Sequence, residues 1–427
     1  MPSTEQTLKA GALLNYGAFG LPLTMAALPL YMFVPAFYQR QFGLSLALIG
    51  AALLSLRMAD ALIDPLLGAW VDRGHEPSRY RRLTGIALLP LALGFVALFQ
   101  PPQQWLTQSA LALAPLYWLL ASTALCYFGF SLGNICHQSW GAALTQQPGQ
   151  RTRLAAAREG AGLLGVVLAS IVPALVGMPG LSGLFLFSLV LGAWLLLRRA
   201  PLPARVIVQP ESKNMASGWR AALSNQAFRR LLAVFVLNGI AAAIPATLFL
   251  FFVGDRLQAA NWAGPFLLLY FVSAALSMPG WVRLANSFGE ARSWLLAMLL
   301  AVAVFIWSWQ LPAAALWSFG LICILSGCAA GADLVLPPAM LTGIIARAGH
   351  SGRREGSYFG LWNCASKLNL ALAAGLALPL LDYLGYTPGS RQPAALAALS
   401  FSYALLPCLL KLLAAALLWR MPAQAKS

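Results

Sequence analysis

The sequence predicts an all-α polytopic membrane protein, with about twelve transmembrane helices arranged as two six-helix bundles. Three observations carry this. Hydrophobic residues make up 60% of the chain and charged residues only 9%, where a soluble domain carries roughly 25% charged residues. Apolar runs recur at near-regular intervals, each long enough for the roughly 20 residues that a helix needs to cross a bilayer. The alternating short segments of a β-barrel are absent. Finally, Lys and Arg gather in alternate loops, as the positive-inside rule requires.

The apolar runs fall near 10–38, 45–71, 83–100, 109–144, 157–177, 180–198, 228–253, 262–287, 292–311, 313–345, 357–381 and 393–420. The fourth and tenth exceed what a bilayer needs and extend beyond it. The loop after the second run carries Arg73, Arg79, Arg81 and Arg82; the next basic loop carries Arg151, Arg153 and Arg158. The segment 199–227 carries Arg199, Arg205, Lys213 and Arg220, and 346–356 carries Arg347, Arg353 and Arg354. The intervening loops 101–108 and 178–183 have no charge. Both termini are therefore expected in the cytoplasm, and the membrane is expected to be a bacterial inner membrane. The first run is too long for a cleavable signal peptide. The +16 net charge follows from this loop pattern, so no nucleic-acid partner is expected.

Segment 199–227 is polar and contains Pro201, Pro203 and Pro210. It reads as a linker between a bundle at 1–198 and a bundle at 228–427, with Trp219 to Leu232 able to form a short surface helix. Six spans, a linker and six spans is the major facilitator arrangement, whose solute site lies between the halves near mid-membrane. A weak echo between DPLLGAWVDR in span two and PGWVRLANSFGE in span eight is consistent with duplication.

Charges inside the apolar runs are few. Arg57, Asp60 and Asp64 stand at i, i+3 and i+7 and share one helical face. Two carboxylates can hold a sodium ion or exchange a proton, and Arg57 offsets surplus negative charge; a structural ion pair alone would need only one acid. Asp333 lies in mid-span, able to meet a base from the other half, to gate a proton or to line a wet vestibule. Lys367 has Trp362, Asn363, Ser366 and Asn369 nearby and can bind an acidic group. Lys411 is nearer a helix end and is expected to snorkel. In span four Ser131, Asn134 and Gln138 form a polar stripe that either joins helices or lines an aqueous path. Tyr16 and Trp362 are among the candidate cavity-wall aromatics. The six cysteines form no CxxC pair, so they read as small buried hydrophobes.

At this point the chain resembles the glycoside–pentoside–hexuronide:cation symporter family. The likeness rests on five stretches in order: NYGAFG from Asn15, FYQRQFGLSLALIG from Phe37, RMADALIDPLLGAWVDR from Arg57, TQQPGQRTRLAAAREG from Thr145 and GRREGSYFGLWNCASKL from Gly352. It implies that Asp60 and Asp64 take the coupling cation, with Arg57 upstream and a hydroxyl from span four at Ser131. It places Ile63 where an Asn ligand often lies. It implies a solute site at Asn134, Gln138, Arg158 and Lys367, to which Asn363, Tyr16, Trp362 and Asp333 are added as candidates. The acids expected in spans one and four are replaced by Pro22 and Asn134, and an acidic pair late in span ten by neutral residues around Gly343 to Ala346.

The expected function is therefore cation-coupled symport of a small organic solute, a sugar or glycoside by resemblance, by a monomer working through alternating access. Sodium or a proton is the coupling ion, with Asp60 and Asp64 as the sodium ligands, and no cofactor is expected. No catalytic triad, nucleotide loop or metal signature argues for an enzyme. The alternatives are a lysophospholipid or other amphiphile carrier on the same fold and a non-transporting sensor or scaffold.

Overall fold

The computed structural model describes residues 8–421 except 74–75, 110, 112, 146 and 204–214. Arg205 and Lys213 of the linker, and both chain ends, lie outside the described residues. Those described form an all-helical chain: α1 (Ala10–Gly17), α2 (Gly20–Met32), α3 (Val34–Phe42), α4 (Leu46–Asp72), α5 (Ser78–Phe99), α6 (Gln103–Gln108), α7 (Ala114–Leu144), α8 (Pro148–Trp194), α9 (Met215–Ser224), α10 (Gln226–Phe251), α11 (Ala263–Phe288), α12 (Glu290–Phe305), α13 (Leu316–Arg347), α14 (Glu355–Tyr383), α15 (Pro393–Ser400) and α16 (Leu406–Trp419). Eleven helical stretches among the described residues are long and apolar enough to cross a membrane. Helix α4, of 27 residues, matches them in length but carries Arg57, Asp60 and Asp64.

Two compact units divide the chain. One comprises the residues up to Ala222 together with Ile345–Cys364; the other comprises Leu223–Ile344 and the residues from Ala365 onward. The start of α14, from Glu355 to Cys364, thus belongs with α4.

In the first unit, small residues let helices approach to backbone contact. A Cβ on Gly94 of α5 or on Gly129 of α7 would collide with the backbone of Cys126 or Leu91. Gly17 and Gly20 likewise seat the first span against Ala157 and Arg158 of α8. Tyr38 donates to the Leu98 carbonyl at 3.1 Å and ties α3 to α5. In the second unit Phe252, Phe266, Phe319 and Tyr403 form an aromatic core, with Phe252 and Tyr403 stacked at 4.0 Å.

Two boundaries differ from expectation. The fifth span begins at Pro148, not 157, so Arg151 and Arg153 are helical. Proline fits the first helical turn, where its missing N–H costs nothing. The break that follows comes at Gly177, whose φ of 70° favours a residue without a Cβ. The surface helix read across Trp219 to Leu232 is two helices, because Asn225 interrupts it. Its side chain caps α10 by accepting from the amides of Ala227 and Phe228, at 3.0 and 3.2 Å. The six cysteines form no disulfide among the described residues.

Candidate functional site

Helix α4 carries the acidic face as the i, i+3, i+7 spacing requires. Asp64 is fully buried, and Asp60 and Ser131 are nearly so. Ser131 Oγ donates to Asp60 Oδ1 at 2.7 Å, which brings the stripe of α7 onto the acids of α4. Arg57 is held within electrostatic reach of Tyr127, Asp60 and Asp64. Four of the predicted residues therefore gather in one place: two carboxylates and a hydroxyl with a guanidinium beside them. Hard cations take such ligands. Pro65 adds a backbone feature, since it withholds the amide donor that would otherwise bond the Ala61 carbonyl. Ile63 is exposed and offers no oxygen. Among the described residues no group of three or more His, Cys, Asp or Glu converges as a metal site.

Beyond the acids, α4 lies in backbone contact with α14. A Cβ on Gly68 would strike the Gly356 carbonyl, and one on Gly360 would lie 2.5 Å from the Asp64 carbonyl. Asp72 then caps α14, accepting from the amides of Gly356 and Ser357 at 2.7 and 2.6 Å. These two amides are among the donors that a helix start leaves unsatisfied. Buried Arg79 donates to the Gly352 carbonyl at 3.2 Å and stands 4.0 Å from Glu355. Trp219 of α9 reaches the same crossing and donates to the Pro65 carbonyl at 2.8 Å. The sequence marked Trp219 only as the start of a short surface helix.

A second cluster gathers on α1, α7 and α8. Tyr16 donates its hydroxyl to the His137 carbonyl at 2.9 Å, and His137 Nε2 meets the Tyr16 carbonyl at 2.9 Å. A carbonyl only accepts, so Nε2 carries the proton and donates. His137 is thereby a structural joint. Arg158 is buried and donates through Nε and Nη2 to Glu159 Oε1, at 3.0 and 2.6 Å. Tyr16 lies beside this pair. Gln138, next to His137, is nine-tenths buried, and its Oε1 has no partner among the described residues. Asn134 stands one turn before Gln138, partly exposed. Glu159 escaped notice in the sequence because RTRLAAARE reads as the edge of a basic loop.

On α14, Trp362, Asn363 and Lys367 are all buried. The helix passes from one compact unit to the other between Cys364 and Ala365, so the first two belong to one unit and Lys367 to the other. Asp333 is not grouped with them. Its Oδ2 accepts from Lys411 Nζ at 2.9 Å and its Oδ1 from Trp294 Nε1 at 2.7 Å, while Lys411 also donates to Asn238 Oδ1 at 2.7 Å. The base that meets Asp333 comes from the same unit, and Lys411 is a bonded lysine, not a snorkelling one. Opposite charges in mid-span were the available signal for this pair.

A family model described as MFS/sugar transport protein matches residues 15–425. The chain is 23% identical to the uncharacterized symporter YjmB of Bacillus subtilis over 372 residues, 82% of this chain and 78% of that one. It is 27% identical to the glucuronide carrier protein homolog of Escherichia coli over 434 residues, 92% of this chain and 88% of the relative. Among solved structures it resembles a bacterial homologue of the iron transporter ferroportin, with a TM-score of 0.67, 19% identity, and coverage of 96% of this chain and 100% of the other. It also resembles the Escherichia coli fucose:proton symporter FucP, with a TM-score of 0.67, 14% identity, and coverage of 97% and 98%. At such identities the structural likeness speaks to the fold.

Proposed function

The chain belongs to the MFS/sugar transport protein family, and from that premise we propose that it is a cation-coupled symporter of a sugar or glycoside. Membership makes it an integral membrane transporter and not an enzyme. The observation that carries the coupling proposal is the bond from Ser131 to Asp60 beside fully buried Asp64. Two acids and a hydroxyl on facing helices supply oxygen to sodium, or hold a proton, while Arg57 keeps the empty site from being too negative. Asp64 lies in the turn of α4 that touches α14 through Gly360. Loading the site would therefore bias a helix contact as well as neutralise charge. Coupling needs only that ion and solute prefer the same conformational state.

In this reading Asn134, Gln138, Arg158 and Tyr16 serve the solute on one side, and Trp362, Asn363 and Lys367 along α14. Asp333, engaged by Lys411 and Trp294, holds helices of its own unit together. The relative named as a glucuronide carrier and the family description favour sugars and glycosides over amphiphiles. Both termini are taken as cytoplasmic, which the positive charge of alternate loops supports, the membrane as a bacterial inner membrane and the working unit as a monomer.

Uptake by proteoliposomes tests the proposal. A panel of labelled sugars and glycosides should accumulate under an imposed sodium or proton gradient. Accumulation that survives collapse of both gradients would overturn the coupling, and its loss in Asp60→Asn and Asp64→Asn, with folding intact, would support it.

A further inference from the structure

We propose that Glu159 is a specificity-determining residue, which converts Arg158 from an anion receptor into half of a hydroxyl receptor, so that this site takes a neutral polyhydroxylated solute in preference to a carboxylated one. The inference rests on the transport reading above and deepens it.

Both charges lie well inside the fifth span, about 15 Å along the helix from Pro148 at 1.5 Å per residue. An ionised side chain at such depth faces protein or a water-filled opening, not lipid. Leu164 and Ile171 mark the exposed apolar flank of α8. At 100° per residue Glu159 is turned about 140° and 120° away from them. Its side chain is nevertheless 22% exposed, against 8% for Arg158. Glu159 thus lies off the flank that Leu164 and Ile171 mark, with part of its side chain accessible.

The geometry of the pair decides what it can bind. Arg158 uses Nε and Nη2 on a single oxygen, Oε1. No hydrogen bond to Oε2 is found among the described residues, and Oε2 is not a buried orphan. The pair therefore presents a second carboxylate oxygen, Oε2, beside a guanidinium that also meets Tyr16. A hydroxyl donates and accepts at once and can satisfy such an edge; adjacent ring hydroxyls can satisfy both parts. A carboxylate can only accept. It would meet a guanidinium whose charge is already matched and a second carboxylate that repels it.

Tyr16 and Gln138 fit the same purpose. Tyr16 keeps Arg158 beside α7, and buried Gln138 has an amide oxygen with no partner among the described residues, which a hydroxyl donor would satisfy.

The test uses purified full-length protein at fixed sodium and pH. Matched pairs of aryl hexosides and aryl hexuronides, which differ only by CH2OH or a carboxylate on the ring, compete for binding and for counterflow. The expected result is that the wild type binds the neutral member of the preferred pair at least about tenfold more tightly. Glu159→Gln should reduce that ratio about tenfold or invert it, because Arg158 regains an unmatched charge, while Glu159→Asp keeps the order. A wild type that prefers the hexuronide overturns the inference, as does a Glu159→Gln protein, shown folded by its melting curve, with an unchanged ratio. If Glu159→Gln does not fold, the wild-type ratio and Glu159→Asp still decide. Failure of every member of every pair to bind sinks the sugar and glycoside reading itself, together with this inference, and is distinct from a reversed ratio.

Discussion

Ser131 Oγ lies 2.7 Å from Asp60 Oδ1, and this one bond joins the polar stripe of α7 to the acidic face of α4. Both partners are buried, so the contact is shielded from competing water. Ser131→Ala should leave Asp60 short of a donor, at a cost of about 1–3 kcal/mol. If the proposed coupling site is correct, the cation concentration for half-maximal uptake should change several-fold in this variant, with solute affinity at saturating cation nearly preserved. Cation titrations of uptake in wild type and variant check this. Identical titration curves would remove Ser131 from the site.

Asp72 caps α14 with two short bonds to backbone amides. Hydrogen bonds to a charged group contribute about 1.5–3 kcal/mol. Asp72→Ala should therefore lower the melting temperature and raise hydrogen exchange at Gly356 and Ser357 before it affects amides elsewhere in α14. Unchanged protection at those two amides would show that the cap does not hold the helix start.

Lys411 and Asp333 form a largely buried pair that Asn238 and Trp294 complete. Removing one member of a buried pair costs about 3–5 kcal/mol, because the other charge is left behind. Lys411→Met and Asp333→Asn should each destabilise the protein strongly, and the double variant should be less damaged than the sum of the two. Thermal unfolding of the three variants forms the cycle. Additive effects would mean that the two charges do not depend on each other.

Trp219 donates to the Pro65 carbonyl, one residue beyond Asp64. Trp219→Phe keeps an aromatic ring, smaller than the indole, and removes the N–H. Its expected effect is a loss of about 0.5–1.5 kcal/mol of local stability, read as faster hydrogen exchange across α9 with α10 unaffected. Equal exchange in both proteins would show that α9 is held by packing alone.

The helical membrane class was legible because it depends on local quantities: apolar runs of bilayer length and the charge of the loops between them. The face of Arg57, Asp60 and Asp64 was legible for a similar reason, since three residues on one helix keep fixed angles whatever surrounds them. The partner of those acids was not. The polar stripe through Ser131 was visible, but its direction toward Asp60 came only from family resemblance, because it depends on how α7 packs on α4. The Asp333–Lys411 pair spans 78 residues, and no periodicity links α13 to α16.

By itself, then, the sequence determined the helical membrane class and the acidic face of α4, both set by hydropathy and helical geometry within single elements. Only the tertiary structure decided which charges are neutralised and by whom. Asp60 receives Ser131, Asp333 receives Lys411, Asp72 caps α14, and Glu159 matches Arg158 with one oxygen and leaves the other exposed. The physical reason is that a charge in an apolar medium is defined by its nearest partner. Most of those partners come from other helices. Even where Glu159 follows Arg158 in the chain, the burial that gives the pair its meaning comes from other helices, through Tyr16 of α1 and Gly20 of α2.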